Sequence, residues 1–368
     1  MIDLDAGLSP LGSEGLRRFQ ALQADAVNAV TERFYAAQGS AYERFGPRGR
    51  DACREDLAFH LEFLRPVLEF GLLQPMVDYL CWLNSVLAAR AIPVEHVEVS
   101  LAWLGEFYTG HMEAADGVVV TAALQAARMN FLKAREAPVA PPKPTAQWPE
   151  AVAFEAALLA GHQREALAVL NRCIDSGRSL VDFELHVIQP SLYHIGEKWQ
   201  TCRVTVAQEH LATAIVQAVM TVGLLRSLPP AMIGKRALLA CVAANHHTIG
   251  LRMVCDAFQL AGWDVQYLGA NVPTSALIRQ VTEWKPDLLG LSVSFAQQLQ
   301  VVKDVIAQLD ERPSSARPAV IIGGLAINRF NRLAGMVGAD AHSADAQAAV
   351  LYANQSIAVR ASGAVVRV

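Results

Sequence analysis

The sequence predicts three units in series: an all-α N-terminal domain, a four-helix bundle, and an α/β domain built on five parallel strands. Three observations carry this. Apolar residues recur at helical spacing through 1–136 and again through 150–228. Between those stretches five prolines fall from Pro138 to Pro149, a density that no helix or strand survives. From Lys235 onward short apolar runs alternate with amphipathic ones, as strands and helices do when they take turns.

In the first unit, Ser13 is expected to cap a helix that carries Leu16, Phe19, Leu22, Ala26, Val30 and Phe34. Asp51 is expected to open a second, with Leu57, Leu61, Leu64 and Leu68 on one face. Pro75 and Pro93 stand where a first helical turn tolerates proline, and Asp116 starts a last helix ending near Arg135. Five or six helices with little strand signal fit a bundle or a globin-like packing. Residues 137–149 read as a semi-rigid linker. Breaks at Gly161, at Ser176-Gly177 and at Thr201–Thr205 divide 150–230 into four antiparallel helices, ended by Leu228-Pro229-Pro230.

In 235–368 the strands are expected at Arg236–Ala243, Asp264–Gly269, Asp287–Ser294, Pro318–Gly323 and near Ala339–His342. Helices are expected from Thr248, Pro273, Gln297, Asn328 and Asp345. Nearly continuous apolar strands mean a parallel sheet covered on both faces, a Rossmann-like domain in flavodoxin order. Ligands on such sheets bind at the carboxyl ends of the strands, where the strand order reverses.

Composition narrows the function classes. Of 368 residues 53% are apolar, enough for packed cores. No apolar run is long enough to span a bilayer. The N-terminus MIDLDAGLSP lacks a signal pattern, so a cytoplasmic protein is expected. Six scattered cysteines read as reduced thiols rather than disulfides or a zinc site. A net charge of −4 argues against a surface built for nucleic acid. Arg44, Arg48, Arg50 and Arg54 cluster around glycines and Pro47, as in a solvated loop. The chain shows neither a nucleophile–base set nor a phosphate loop, so no enzyme is expected.

The first strand is followed by Asn245-His246-His247-Thr248-Ile249-Gly250, the third by Ser292-Val293-Ser294, and the fourth by Gly323-Gly324. All three groups fall on the ligand edge of the predicted sheet. Their order and spacing resemble the cobalamin-binding pattern, a D/E-x-H-x-x-G loop followed by S-x-L/T and GG. The resemblance implies base-off binding of cobalamin with His247 as lower axial ligand to cobalt, because Gly250 lies three residues beyond it. His246 is then a neighbour facing solvent or the nucleotide tail. A ligating imidazole needs a partner on its other nitrogen. Asn245, at the acidic position, is expected to accept that N–H through its amide oxygen, without charge. Ser292, Ser294 and the small Gly323-Gly324 suit a slot for the displaced nucleotide.

The bundle ends in a W-x9-E-H segment, Trp199 to Glu209-His210. Similar bundles cover the upper face of the corrin in methionine synthase and corrinoid shuttle proteins. The W-x9-E-H form is similar to the CarH-type photoreceptors, which sense light with adenosylcobalamin. That resemblance implies Trp199 packed on the adenosyl group, Glu209 on its ribose, and His210 as upper cobalt ligand after light. A carboxylate beside the apolar Leu211, Ala212 and Ala214 needs a partner. A helix N-terminus also favours one.

The CarH-type repressors carry a winged-helix DNA-binding domain. Residues 1–136 lack a basic recognition helix and a wing, so no direct nucleic-acid contact is expected. With HLEFLRPVLEFG from His60 to Gly71, this part looks like a degenerate non-haem globin sensor domain. The combination resembles the photocobilins, which hold a bilin beside adenosylcobalamin. A biliverdin-type pigment needs polar partners, cations and apolar walls. Candidates are Asp78, His60 and His111 for the pyrrole row, and Arg44, Arg54 and Arg65 for the propionates. Tyr79, Trp82, Trp103, Phe107 and Tyr108 are candidate walls. No cysteine demands a thioether, so the pigment is expected to bind non-covalently. Core aromatic, helix-face charge and surface histidine are the competing readings of the same residues.

Three functions stay open: a cobalamin light sensor with a bilin, a corrinoid shuttle of a methyltransferase system, and a cobalamin-binding adaptor of a transcription regulator. A homo-oligomer, a dimer first, and a downstream protein partner are expected. No membrane contact is expected.

Overall fold

The computed structural model describes residues 8–135, 146–228, 230–313, 317–330 and 333–362. The chain forms two compact units, Met1–Ala140 and Pro141–Val368. Most of the proline-rich linker expected at 137–149, and Pro229, lie outside the described residues.

The first unit holds α1 (Ser13–Ala21), α2 (Gln23–Tyr42), α3 (Gly46–Phe70), α4 (Gln74–Ala88), α5 (Glu95–His111) and α6 (Ala114–Ala134). Its core includes Phe19, Leu61, Leu64, Leu80, Leu104, Tyr108 and Phe131, each fully buried. The all-helical expectation holds, and three boundaries move. Gly12, not Ser13, is the N-cap of α1, and the expected long first helix is interrupted at Leu22. α3 opens at Gly46-Pro47 rather than Asp51, because proline in a first turn sacrifices no helical bond. Pro93 stands just ahead of α5, whose N-cap is Val94.

In the second unit, α7 (Glu150–Leu159), α8 (Gln163–Asp175), a run through α9 (Leu180–Phe183) and α10 (Gln189–Gln200), and α11 (Val206–Arg226) make the four helical rods expected. One feature was not expected: a π turn at Glu184–Ile188 joins α9 to α10. It seats Pro190 in the first turn of α10. Proline has no N–H to offer the carbonyl four residues back. The His186 carbonyl instead accepts the backbone N–H of Trp148, at 3.1 Å.

The sheet follows: β1 (Arg236–Val242), α12 (Ile249–Leu260), β2 (Asp264–Val272), α13 (Thr274–Trp284), β3 (Leu288–Ser292), α14 (Leu299–Asp310), β4 (Ala319–Gly323), α15 (Leu325–Arg329), α16 (Leu333–Met336), β5 (Ala341–His342) and α17 (Ala346–Ser362). Asn328 falls inside α15 rather than opening a helix. The strand order is β2-β1-β3-β4-β5, all parallel, as expected. β3 is buried along its whole length and β1 from Ala237 onward, which fixes the sheet as the middle layer. Met253, Ala257 and Ala346 join the core of the helical rods, so bundle and sheet share apolar packing. The strand order reverses between β1 and β3. The loops after those two strands therefore flank one crevice. Among the described residues no helix is long and apolar enough to cross a membrane.

Candidate functional site

The loop between β1 and α12 carries Asn245, His246 and His247 at the predicted switch point. Asn245 is fully buried. Its Nδ2 donates to the Ser292 carbonyl at 2.8 Å, and its Oδ1 accepts the backbone N–H of His247 at 3.1 Å. The amide oxygen expected on the imidazole thus holds the main chain instead. A short amide reaches a backbone N–H two residues on more readily than a side chain beyond it. Asn271 secures the same loop from β2: its Oδ1 accepts the Ala244 N–H at 2.7 Å, and its N–H reaches the Asn245 carbonyl at 2.9 Å.

His246 is exposed. His247 is exposed, with the Phe295 ring edge-on to its own at 5.3 Å and 77°. Crowding by surrounding protein there lowers its pKa. The charge of Glu209 pulls the other way, and His246 adds to the lowering. The imidazole is held toward the neutral form, which is the form that ligates a metal. Among the described residues no three His, Cys, Asp or Glu side chains gather to hold an ion. A lone imidazole suits a metal that brings its other ligands with it.

Ser292 and Ser294 are both buried at the end of β3. Gln298, which sequence reasoning missed, clasps this edge. Its Nε2 donates to the Ala244 carbonyl at 2.9 Å, and its Oε1 accepts the N–H groups of Ser294 and Phe295 at 2.9 and 3.2 Å. Gly324 has φ +101°, and a Cβ there would stand 2.5 Å from the Val293 carbonyl oxygen. The second glycine of the pair is thus required by the fold itself. Gly250 differs: a Cβ would meet no atom within 4 Å. Protein packing does not explain a glycine there.

The bundle carries its own candidate groups. Thr205 and Gln208 cap α11 reciprocally, at 3.2 and 3.0 Å. The next two residues are Glu209 and His210. Glu209 Oε2 bonds His210 Nδ1 at 2.5 Å, and Thr213 Oγ1 donates to Oε1 at 3.1 Å. The carboxylate therefore finds partners inside the chain, and the His210 side chain is 74% exposed. Trp199 is half-buried against the bundle core at the end of α10. Glu209, on α11 of the bundle, is one of the charges that act on the His247 ring.

The residues considered for a bilin are engaged within the helical unit. Tyr108 is fully buried, stacked on Phe19 at 4.9 Å. His60 is buried, bonds Tyr79 Oη through Nδ1 at 2.9 Å, and is pushed by desolvation to a pKa of about 4. These three are core residues because their polar atoms have partners within the helices. Asp78 accepts from Gln74, Arg65 lies near Glu62 and Glu69, and exposed His111 stacks on Phe107. Arg44 holds the carbonyls of Arg90 and Ala91, and Arg54 pairs with Asp51. Trp82, Trp103 and Phe107 pack partly buried on the core.

Comparison with known proteins agrees with the sheet edge. Residues 235–351 match a family model described as a B12 binding domain, and residues 152–222 match a second model with the same description. The dimethylamine corrinoid protein 3 of Methanosarcina mazei is 32% identical over 117 residues, 32% of this chain and 69% of that protein. The chain belongs to the B12-binding protein family. Two Myxococcus xanthus proteins named as HTH-type transcriptional repressors are also similar. CarA is 31% identical over 159 residues, covering 42% of this chain and 52% of the relative. CarH is 33% identical over 140 residues, covering 38% and 46%. The chain thus spans about half the length of these two. Among solved structures, the Methanosarcina barkeri monomethylamine corrinoid protein matches at 18% identity and a TM-score of 0.47, over 55% of this chain and 96% of that one.

Proposed function

We propose that this chain is a cytoplasmic light sensor that binds adenosylcobalamin base-off, with His247 below the cobalt and His210 taking the upper position after light. The observation that supports the reading is the His247 loop at the switch point of a domain that matches a B12-binding model, together with the Glu209-His210 pair in the first turn of α11. When bound, the cofactor supplies a cobalt–carbon bond that light can cleave. The chain's residues do the rest. His247 offers a neutral ring nitrogen. Ser292, Ser294, Gly323 and Gly324 border the slot for the nucleotide tail. Trp199 screens the upper face from water. Glu209 holds His210 through Nδ1, so Nε2 is the ring nitrogen left for a metal.

A biliverdin-type pigment on the helical unit is the second part of the reading. It rests on the likeness of 1–136 to a degenerate globin sensor. Output by a change in a homodimer, or through a partner protein, completes it. The test is the absorption spectrum of the full chain with adenosylcobalamin, dark and illuminated, with and without biliverdin. His247→Ala is expected to alter the dark spectrum. His210→Ala is expected to give an aquo-type photoproduct that reverts or loses cofactor. An unchanged photoproduct in His210→Ala removes the upper-ligand role, and no red band with excess biliverdin removes the pigment.

The matches to corrinoid proteins favour a second reading, a shuttle that presents a methylated corrinoid to a methyltransferase. A light-insensitive spectrum that responds to a methyl donor and its transferase would decide for it.

A further inference from the structure

We propose that Phe295 is the positioning residue for His247, replacing the charged partner that such a ligand usually has; this rests on the reading of His247 as the lower cobalt ligand. Three facts lead to it. The residue two before the histidine is spent elsewhere: Asn245 bonds the His247 main chain and the Ser292 carbonyl. No described residue makes a hydrogen bond to the His247 ring, whereas the Phe295 ring meets it edge-on at 5.3 Å and 77°. Phe295 is not free to drift from that contact. Gln298 accepts its backbone N–H and, through the other end of the same amide, holds the Ala244 carbonyl beside Asn245.

A hydrogen-bonded partner fixes an imidazole by direction and raises its basicity. An aromatic wall restrains it by contact on one side, and it adds no charge. The chain thus presents a ligand that is oriented but electronically unassisted. Serine and threonine side chains at position 295 would not supply that wall, and neither would glycine. A ring–ring contact of this kind corresponds to roughly a three- to tenfold change in an equilibrium.

The experiment uses the full chain reconstituted with cobalamin and reduced to the Co(II) state, read by its paramagnetic resonance spectrum. Wild-type protein labelled with 15N-histidine is expected to show the cobalt signal split by one labelled nitrogen, lost in His247→Ala. Phe295→Ala and Phe295→Leu are expected to weaken cobalamin affinity roughly three- to tenfold and to blur that splitting. Phe295→Tyr, which keeps the ring, is expected to restore both. The leucine variant keeps the bulk and serves where the alanine variant does not fold; its cofactor-free melting temperature separates ring loss from core loss. Sharp splitting and wild-type affinity in Phe295→Leu would overturn the role of Phe295 while leaving His247 as the ligand. Absence of histidine splitting in the wild type would overturn both.

Discussion

Two glycines at the sheet edge answer to different forces. Gly324 is held at φ +101° with the Val293 carbonyl 2.5 Å from any added Cβ. Gly324→Ala is expected to lower stability by about 1–3 kcal/mol from backbone strain alone, more with the clash, as read by urea unfolding of the cofactor-free chain. Gly250 lies in the first turn of α12 with open space around it. Gly250→Ala is expected to raise cofactor-free stability by about 0.5–1 kcal/mol while weakening cobalamin binding in a spectroscopic titration. A loss of stability there, or unchanged affinity, would mean that the space has no occupant. The motif letters were legible in the sequence; the distinction between these glycines was not, because it depends on what stands opposite each one. Asn245 teaches the same lesson. Its tendency to bond backbone two residues on was the clue to where its amide goes.

At the scale of elements, the rods and strands were legible because their periods are strong. The π turn was not, since one wide turn leaves the apolar pattern nearly intact. It carries Glu184, fully buried, with both carboxyl oxygens lacking a donor. Asp256 of α12, equally buried, is bonded by Arg252 Nε at 2.7 Å on one oxygen only. Desolvation first, and then the neighbouring Asp256, push the Glu184 pKa well above the ordinary value. Burial raises Asp256 as well, with Arg252 opposing that rise. A carboxyl raised in the folded state favours folding at acid pH. That contribution fades as pH climbs from the ordinary carboxylate range through the raised value. Glu184→Gln, neutral at every pH, is expected to flatten this decline in a series of melting temperatures. A parallel slope in wild type and variant would place the titration elsewhere.

On the scale of the whole molecule, the contact pattern separates Met1–Ala140 from Pro141–Val368, at the proline cluster the sequence shows. A chain of residues 146–368 contains the entire sheet edge and bundle. It is expected to fold, with the same dark cobalamin spectrum and affinity as the full chain. Loss of cobalamin binding in that fragment would show that the helical unit helps to build the site. Biliverdin added to both chains then tests the helical unit directly, since only the longer one is expected to gain a red band. What the first unit binds was not legible because its polar residues serve its own helices. His60 spends its Nδ1 on Tyr79, and Arg44 spends its guanidinium on two carbonyls.

The reciprocal cap that seats Glu209 and His210 also makes α11 a rod with a fixed handle. Its 21 residues span about 30 Å, and Arg226 moors the far end to Asn171 and Asp175 of α8. On either side of that mooring Leu225 and Leu228 stand almost bare to water. A stiff lever cannot turn at its handle alone. A pull on His210 is expected to arrive at Arg226 as a shift in its anchorage, opening amide exchange around 223–227 in illuminated protein. Identical exchange there in dark and light would mean that the motion is absorbed before it leaves the first turn.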